Sequence, residues 1–270
     1  MMQKSDPGLS MAVGFVMILM IIAMIIGVWA VVGVPEQIRD AEDYHAVGVT
    51  NTFLDYKIAV DNQRAHEWIG SNVSMLIPAA SAYADGALFM TEDVGTLRVL
   101  IGGTENSAYD ISRLYATFGT TNTRIGYEAA GVYRNDYGSA VWVTPPSITI
   151  EKSGDDVYVT LIVPEMQGSF AVGSSEGIPV DTGLISVTTP VDISTNQMIT
   201  IIYTADELWD ADVWNTFFYE TKLKYQSAGV DIMSQALSPY ETSLTIYPSP
   251  GGDMYLTLIK PVYIVDVRRH

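Results

Sequence analysis

From Leu9 to Val34 the chain reads LSMAVGFVMILMIIAMIIGVWAVVGV, 26 residues without a charge and with Ser10 as the only hydroxyl. As a helix rising about 1.5 Å per residue, this run extends roughly 39 Å, enough to cross a hydrocarbon layer of about 30 Å with some tilt. A core helix of a water-soluble domain is rarely apolar on every face over such a length. The segment is therefore expected to enter a membrane. A secretory signal would show a basic start, a shorter apolar core and a small-residue cleavage site. Here Lys4 is balanced by Asp6, the run is too long, and only Val28-Trp29-Ala30 imitates the cleavage signal.

Topology follows from the flanks. Lys4 precedes the apolar run, whereas Glu36, Asp40, Glu42 and Asp43 crowd the other side around the lone Arg39, which places the N-terminus inside and the bulk of the chain outside. The whole chain carries 14 Lys+Arg against 31 Asp+Glu, a net charge of −17, which argues against a nucleic-acid partner. Absence of cysteine excludes disulfide staples, thiol catalysis and thiolate-held metals. Within the apolar run Ala23, Gly27 and Ala30 form a strip of small side chains, which would let a sister helix approach closely.

Beyond Pro35, Ile38, Ala41, Tyr44, Val47, Leu54, Ile58, Ala65 and Trp68 recur at helical steps, with polar residues between them. This stripe predicts an amphipathic stalk whose greasy side packs on the chain's own outer domain. Asn51, Asp61 and Gly48 spoil the heptad a free coiled coil would need.

After Pro78 the pattern changes to short β-prone runs separated by Gly, Pro, Asn and Asp. Twelve strands are predicted, from Leu97–Ile101 to a single long run over Met254–Val267, with Lys222–Tyr225 among them. Ser153-Gly154-Asp155-Asp156 and Pro248 to Asp253 read as hairpin connections, and Gly102-Gly103 as a turn. One helix interrupts the strands over Ala205–Tyr219, with Thr204 as N-cap and Leu208, Trp209, Val213, Trp214 and Phe217 as its docking face. The expected fold class is α+β: a long hydrophobic-to-amphipathic N-terminal helix, then a mainly antiparallel, β-sandwich-like ectodomain with a short inserted helix. The expected segments are a leader over 1–8, a transmembrane or filament-core helix over 9–34, a stalk over 35–70 and the β-rich domain over 71–270.

No catalytic, cofactor or metal motif emerges. His45, His66 and His270 have no metal-ligand spacing, and Asp155-Asp156, Glu92-Asp93 and Asp206-Glu207-Asp210-Asp212 lack the oxygen spacing of a calcium loop. No pair of carboxylates stands out for glycosidic chemistry. Asn72-Val73-Ser74 is an acceptor motif for N-glycosylation just past the stalk.

A hydrophilic leader ending in Gly8, followed by Leu9-Ser10-Met11 and an unbroken apolar helix, resembles the class III signal of archaeal type IV pilins and archaellins. That resemblance implies cleavage between Gly8 and Leu9 by a prepilin-type signal peptidase, with the helix retained in the membrane or a filament core. The stretch Arg124 to Arg134, RIGYEAAGVYR, with Val143-Thr144-Pro145-Pro146, looks like the YEGGGV and PP stretches of archaeal pilin-like surface proteins. Ala129 and Ala130 stand where those proteins carry glycine, so a positive-φ backbone is harder to make there. The resemblance implies a structural subunit or minor component of a surface filament, self-associating or joining other pilin-like subunits through its N-terminal helix. Its alternatives are a single-pass surface binding protein that does not polymerise, for example one contacting glycans, and a membrane-anchored extracellular enzyme. The implied location is the cell membrane with the C-terminal domain outside, or an extracellular filament.

Overall fold

The computed structural model describes residues 7–80, 86–118, 122–188 and 191–268, with side chains from Gly14 onward. One rod opens the chain: helix α1 (Pro7–Val28), a π-helical turn (Trp29–Gly33) and helix α2 (Val34–Ala65). The π turn has a local cause. Pro35 has no N–H and its ring crowds the carbonyl four residues back; widening the preceding turn, with the Val34 N–H bonded to the Trp29 carbonyl, accommodates it without a break. Its apolar section is long enough to cross a membrane, and its residues are exposed from Gly14 through Val32. The first six residues of the expected leader lie outside the described residues, and Gly8 and Leu9 fall in the first turn of α1.

Helix α2 turns a face to the outer domain that differs from the expected one. Glu42, Ala46, Val49, Phe53, Tyr56, Val60 and Gln63 are buried, at alternating steps of four and three. Tyr44, Val47, Ile58 and Trp68 of the predicted stripe are exposed, Tyr44 to 85%. Both stripes satisfy helical spacing. The one carrying Phe53 and Tyr56 is continuous over three turns, whereas the expected one is interrupted by Asn51 and Asp61, and the larger uninterrupted apolar area wins the sheet.

The strands build four separate sheets. Sheet I runs, edge to edge, Asn72–Ile77, Ile178–Val187, Pro261–Val267, Glu165–Gln167. Sheet II runs Phe170–Ser174, Gly86–Thr91, Arg113–Phe118, Thr123–Glu128, Gly131–Asp136, Ser139–Thr144. Sheet III runs Val191–Thr195, Met254–Ile259, Asp156–Ile162, Ile148–Ser153. Sheet IV runs Ile232–Ser238, Glu241–Ile246, Ile199–Ala205, Gly95–Ile101, Thr104–Asp110. Pairing is antiparallel except where Asp156–Ile162 meets Met254–Ile259 and Glu165–Gln167 meets Pro261–Val267. The four sheets are the blades of a four-bladed β-propeller, not the two facing layers of the expected β-sandwich, and each blade gathers strands distant in sequence.

Two apolar cores hold this domain. In one, Phe53 and Tyr56 of α2 pack with Leu88, Leu114 and Tyr127 of sheet II and Tyr263 and Val265 of sheet I. In the other, helix α3 (Leu208–Gln226) packs Trp214 and Phe218 among Val159 and Leu256 of sheet III and Ile201 and Leu244 of sheet IV. Helix α3 absorbs the strand expected at Lys222–Tyr225, because no breaker follows Tyr219 before Ser227 and Gly229. It starts at Leu208 with Glu207 as the N-cap residue, and Thr204 belongs to a strand. The Ser153–Asp156 hairpin and the Gly102-Gly103 turn form as expected, with positive φ at Gly154, Gly102 and Gly103. Pro248 to Asp253 instead links sheet IV to sheet III, and Lys260 splits the expected long final strand into members of two sheets.

The filament reading falls with the sandwich. A pilin-like structural subunit was expected, but the outer domain is a propeller and the buried face of α2 is spent on that domain. What stands is a membrane-anchored chain with a folded outer domain.

Candidate functional site

Arg113 and Glu128 begin and end neighbouring strands of sheet II and face each other in register. The Arg113 Nε donates to Glu128 Oε2 at 2.6 Å, and its Nη2 donates to Asp210 of α3. Tyr203 O–H donates to Asp210 Oδ2 at 3.0 Å, and Trp214 Nε1–H donates to Glu128 Oε1 at 2.9 Å. The guanidinium lies 5.2 Å from the Tyr133 ring centre and 4.8 Å from that of Trp209. One cation thus sits between two carboxylates, all three closed from solvent.

Burial and the neighbouring charge of Glu128 push the Asp210 carboxyl up to about 7, against the pull of Arg113. Burial likewise raises the Tyr133 and Tyr203 hydroxyls, which stay protonated. A pair of carboxylates that no substrate can reach serves positioning: it ties α3 to sheet II where the two cores meet.

Directly outside this cluster is a half-exposed face. The register row across sheet II runs Phe89, Tyr115, Gly126, Tyr133 and Trp142; Phe89, Tyr115 and Trp142 are half-buried, while Gly126 and Tyr133 are closed from solvent. Phe89 and Tyr115 stack at 5.1 Å with planes 14° apart. Gly126 is required in the middle: a Cβ there would lie 2.7 Å from the Tyr115 Cβ and 2.9 Å from the Tyr133 ring. Arg124 lies 6.0 Å from the Tyr115 ring centre and donates to both Glu207 carboxylate oxygens at 3.1 and 3.2 Å. Glu207 also accepts from Trp209 Nε1–H. Burial opposes its ionisation, but Trp209 and Arg124 outweigh that, and its carboxyl titrates below the ordinary glutamate range. The result is a half-exposed pair of stacked rings, Phe89 and Tyr115, edged by one fixed cation and one fixed anion, an arrangement suited to a ligand with an apolar ring face and a polar rim.

The sequence placed Trp209 and Trp214 together on the docking face of the inserted helix. The structure separates them: Trp214 is fully buried and Trp209 is half-buried at the surface. Phe89, Tyr115 and Arg113 were missed because the strands that carry them were missed. Alternation in Arg113-Leu114-Tyr115-Ala116-Thr117-Phe118 was the available signal.

Other expected sites lie apart. Ala23, Gly27 and Ala30 line the free part of the rod, and nothing lies within 4 Å of where a Gly27 Cβ would be. Asn72 is exposed on the edge strand of sheet I, beside a trough of about 490 Å³ floored by Gly183. His45 meets Phe118 edge-on at 5.4 Å, His66 stacks on Trp68 at 4.9 Å, and His270 lies outside the described residues. Glu92 and Asp93 border a cleft with Asp110 and Glu165, where Lys260 pairs with Glu165. Among the described residues no group of three or more His, Cys, Asp or Glu is arranged to hold a metal ion.

A family model described as "Family of unknown function (DUF7289)" matches residues 79–246, more than half of the chain. The match takes in the whole buried cluster and the aromatic face, and leaves out α1, α2 and the two strands between Met254 and Val267. No curated protein and no solved structure matches.

Proposed function

The chain belongs to the DUF7289 family, and on that premise we propose that it is a single-pass, membrane-anchored surface binding protein that does not polymerise. The observation that carries the binding role is the stacked Phe89–Tyr115 pair, half-exposed and edged by the Arg124–Glu207 ion pair. Surface glycans are the ligand class it suits, since a pyranose offers an apolar ring face and a rim of hydroxyls.

The full chain in detergent micelles, applied to an array of surface glycans, tests this. Tyr115→Ala is expected to weaken binding about tenfold, the loss of a ring contact worth about 1.4 kcal/mol, with circular dichroism unchanged. Binding unaffected by Tyr115→Ala and Trp209→Ala together would remove this face from consideration.

Cleavage between Gly8 and Leu9 and a glycan on Asn72 belong to the same reading. Mass spectrometry of the native protein checks both, through a mature N-terminus at Leu9 and a modified Asn72 peptide.

A further inference from the structure

We propose that the turn at Tyr137, which joins Gly131–Asp136 to Ser139–Thr144, is a second membrane contact that rests its side chain in the polar lipid layer. The inference rests on the anchored reading above.

The register fixes the direction. His45 of α2 meets Phe118, and Phe118 pairs across to Thr123 and on to Asp136. Eleven residues further up, Tyr56 meets Tyr127, at the other end of the same strand. Strand Thr123–Glu128 therefore climbs away from the membrane, and its antiparallel neighbour Gly131–Asp136 descends towards it.

The height follows from the chain. Arg134 lies 3.8 Å from Asp43, nine residues above the end of the apolar run at Val34, or about 14 Å at about 1.5 Å per residue. The row that joins His45, Phe118, Thr123 and Asp136 lies eleven residues above Val34, about 16 Å, so Tyr137 stands one strand residue lower, about 13 Å above that level, while the polar layer on one side of a bilayer is roughly 5 to 7.5 Å deep. Directed at the bilayer, a tyrosine side chain closes the remaining distance.

Two features of the turn fit this role. Tyr137 is 60% exposed, and Val141 on the returning edge strand is exposed as well. Its backbone has φ +55°, a left-handed conformation that strains any residue bearing a Cβ, Asn least, and the Asn135 side chain clamps the turn by accepting from the Gly138 N–H at 2.9 Å. The turn holds a large amphipathic ring where a small residue would be cheaper. Glu36, Asp40, Asp43 and Asp136 outnumber Arg39 and Arg134 nearby, so the attraction is interfacial rather than electrostatic, and zwitterionic lipid is the expected surface.

The absence of cysteine allows single-site labelling of the full chain. Ser139→Cys, with an environment-sensitive dye, reports on the turn; Trp68→Cys reports on the far end of α2. In phosphatidylcholine vesicles the Ser139 dye should be quenched by brominated lipid and shielded from aqueous iodide, the Trp68 dye should show the reverse, and adding Tyr137→Ser should lessen the lipid quenching. A chain that floats with the vesicles while both dyes remain equally open to iodide overturns the proposal and leaves the anchor standing. Lipid quenching indifferent to Tyr137→Ser overturns the role of that side chain. A chain that fails to float overturns the anchored reading and this one with it.

Discussion

Ala129 and Ala130 make the tight turn between Glu128 and Gly131 with φ of 46° and 61°, although both carry a Cβ. The resemblance to surface proteins that carry glycine there made that backbone look difficult, yet it forms, because the register of Arg113 with Glu128 and the packing of Gly131 under Trp142 and Pro146 leave no other path. Relief of left-handed strain at an alanine should exceed the entropy that glycine costs in the unfolded chain, so Ala130→Gly is expected to stabilise the domain by about 0.5–1 kcal/mol in thermal denaturation. Asp210 gives a second prediction. Its native carboxyl is raised to about 7, whereas in the unfolded chain it titrates near its ordinary value of about 3.9. Between those values the native state holds a proton that the unfolded state has released, so this group's contribution to stability falls as pH rises from about 4 to about 7. Denaturant titrations from pH 5 to pH 8 should show that decline lessened in Asp210→Asn. Arg113→Met, which strands two carboxylates in the interior, should cost about 3–5 kcal/mol. None of this cluster was legible beforehand: Arg113, Glu128 and Asp210 are distant in sequence, and thirty-one acidic residues offered no means of choosing two.

Helix α2 shows what periodicity can and cannot say about an element. Its existence and length were readable, since apolar residues recur at helical steps from Pro35 onward with no breaker strong enough to stop it. The docking face was not, because two stripes meet the same spacing rule and only the shape of the receiving sheets distinguishes them. Phe53→Ala should therefore cost about 3–5 kcal/mol of ectodomain stability, while Tyr44→Ser should change it by less than about 0.5 kcal/mol; chemical denaturation separates the two. Among strands, Thr123–Glu128 was readable to the residue because the β-prone run is bounded by Asn122 before it and by Ala129-Ala130-Gly131 after it. Asn72–Ile77 was not, since its polar members resemble loop composition until a partner strand is known, and Arg113–Phe118 was passed over despite its alternation. Lys222–Tyr225 shows the opposite error, an alternating run that the momentum of a preceding helix carries past.

At the scale of the whole molecule, the division into an apolar rod and a β-rich outer domain was visible from composition alone, while the number of sheets was not. Short strands punctuated by turns read alike in a sandwich and a propeller, and the choice depends on which strands pair across long separations. Those pairings are extreme here: Asn72–Ile77 shares sheet I with Pro261–Val267. Extraction in mild detergent should yield a discrete monomer by light scattering, and electron microscopy of native cells should show no appendage labelled by an antibody to the outer domain; labelled filaments would restore the discarded reading.

The two strands over residues 254–267 carry a consequence for biogenesis. Each occupies an interior position, one in sheet III and one in sheet I, so neither sheet is continuous until its own late strand has arrived. A chain threading through a translocation channel from its N-terminal side would expose Asp156–Ile162 and Ile178–Val187 with open edges throughout that wait. The membrane anchor, by holding the nascent domain at a surface and apart from its siblings, would guard it during the interval when it is most prone to pair with the wrong strand.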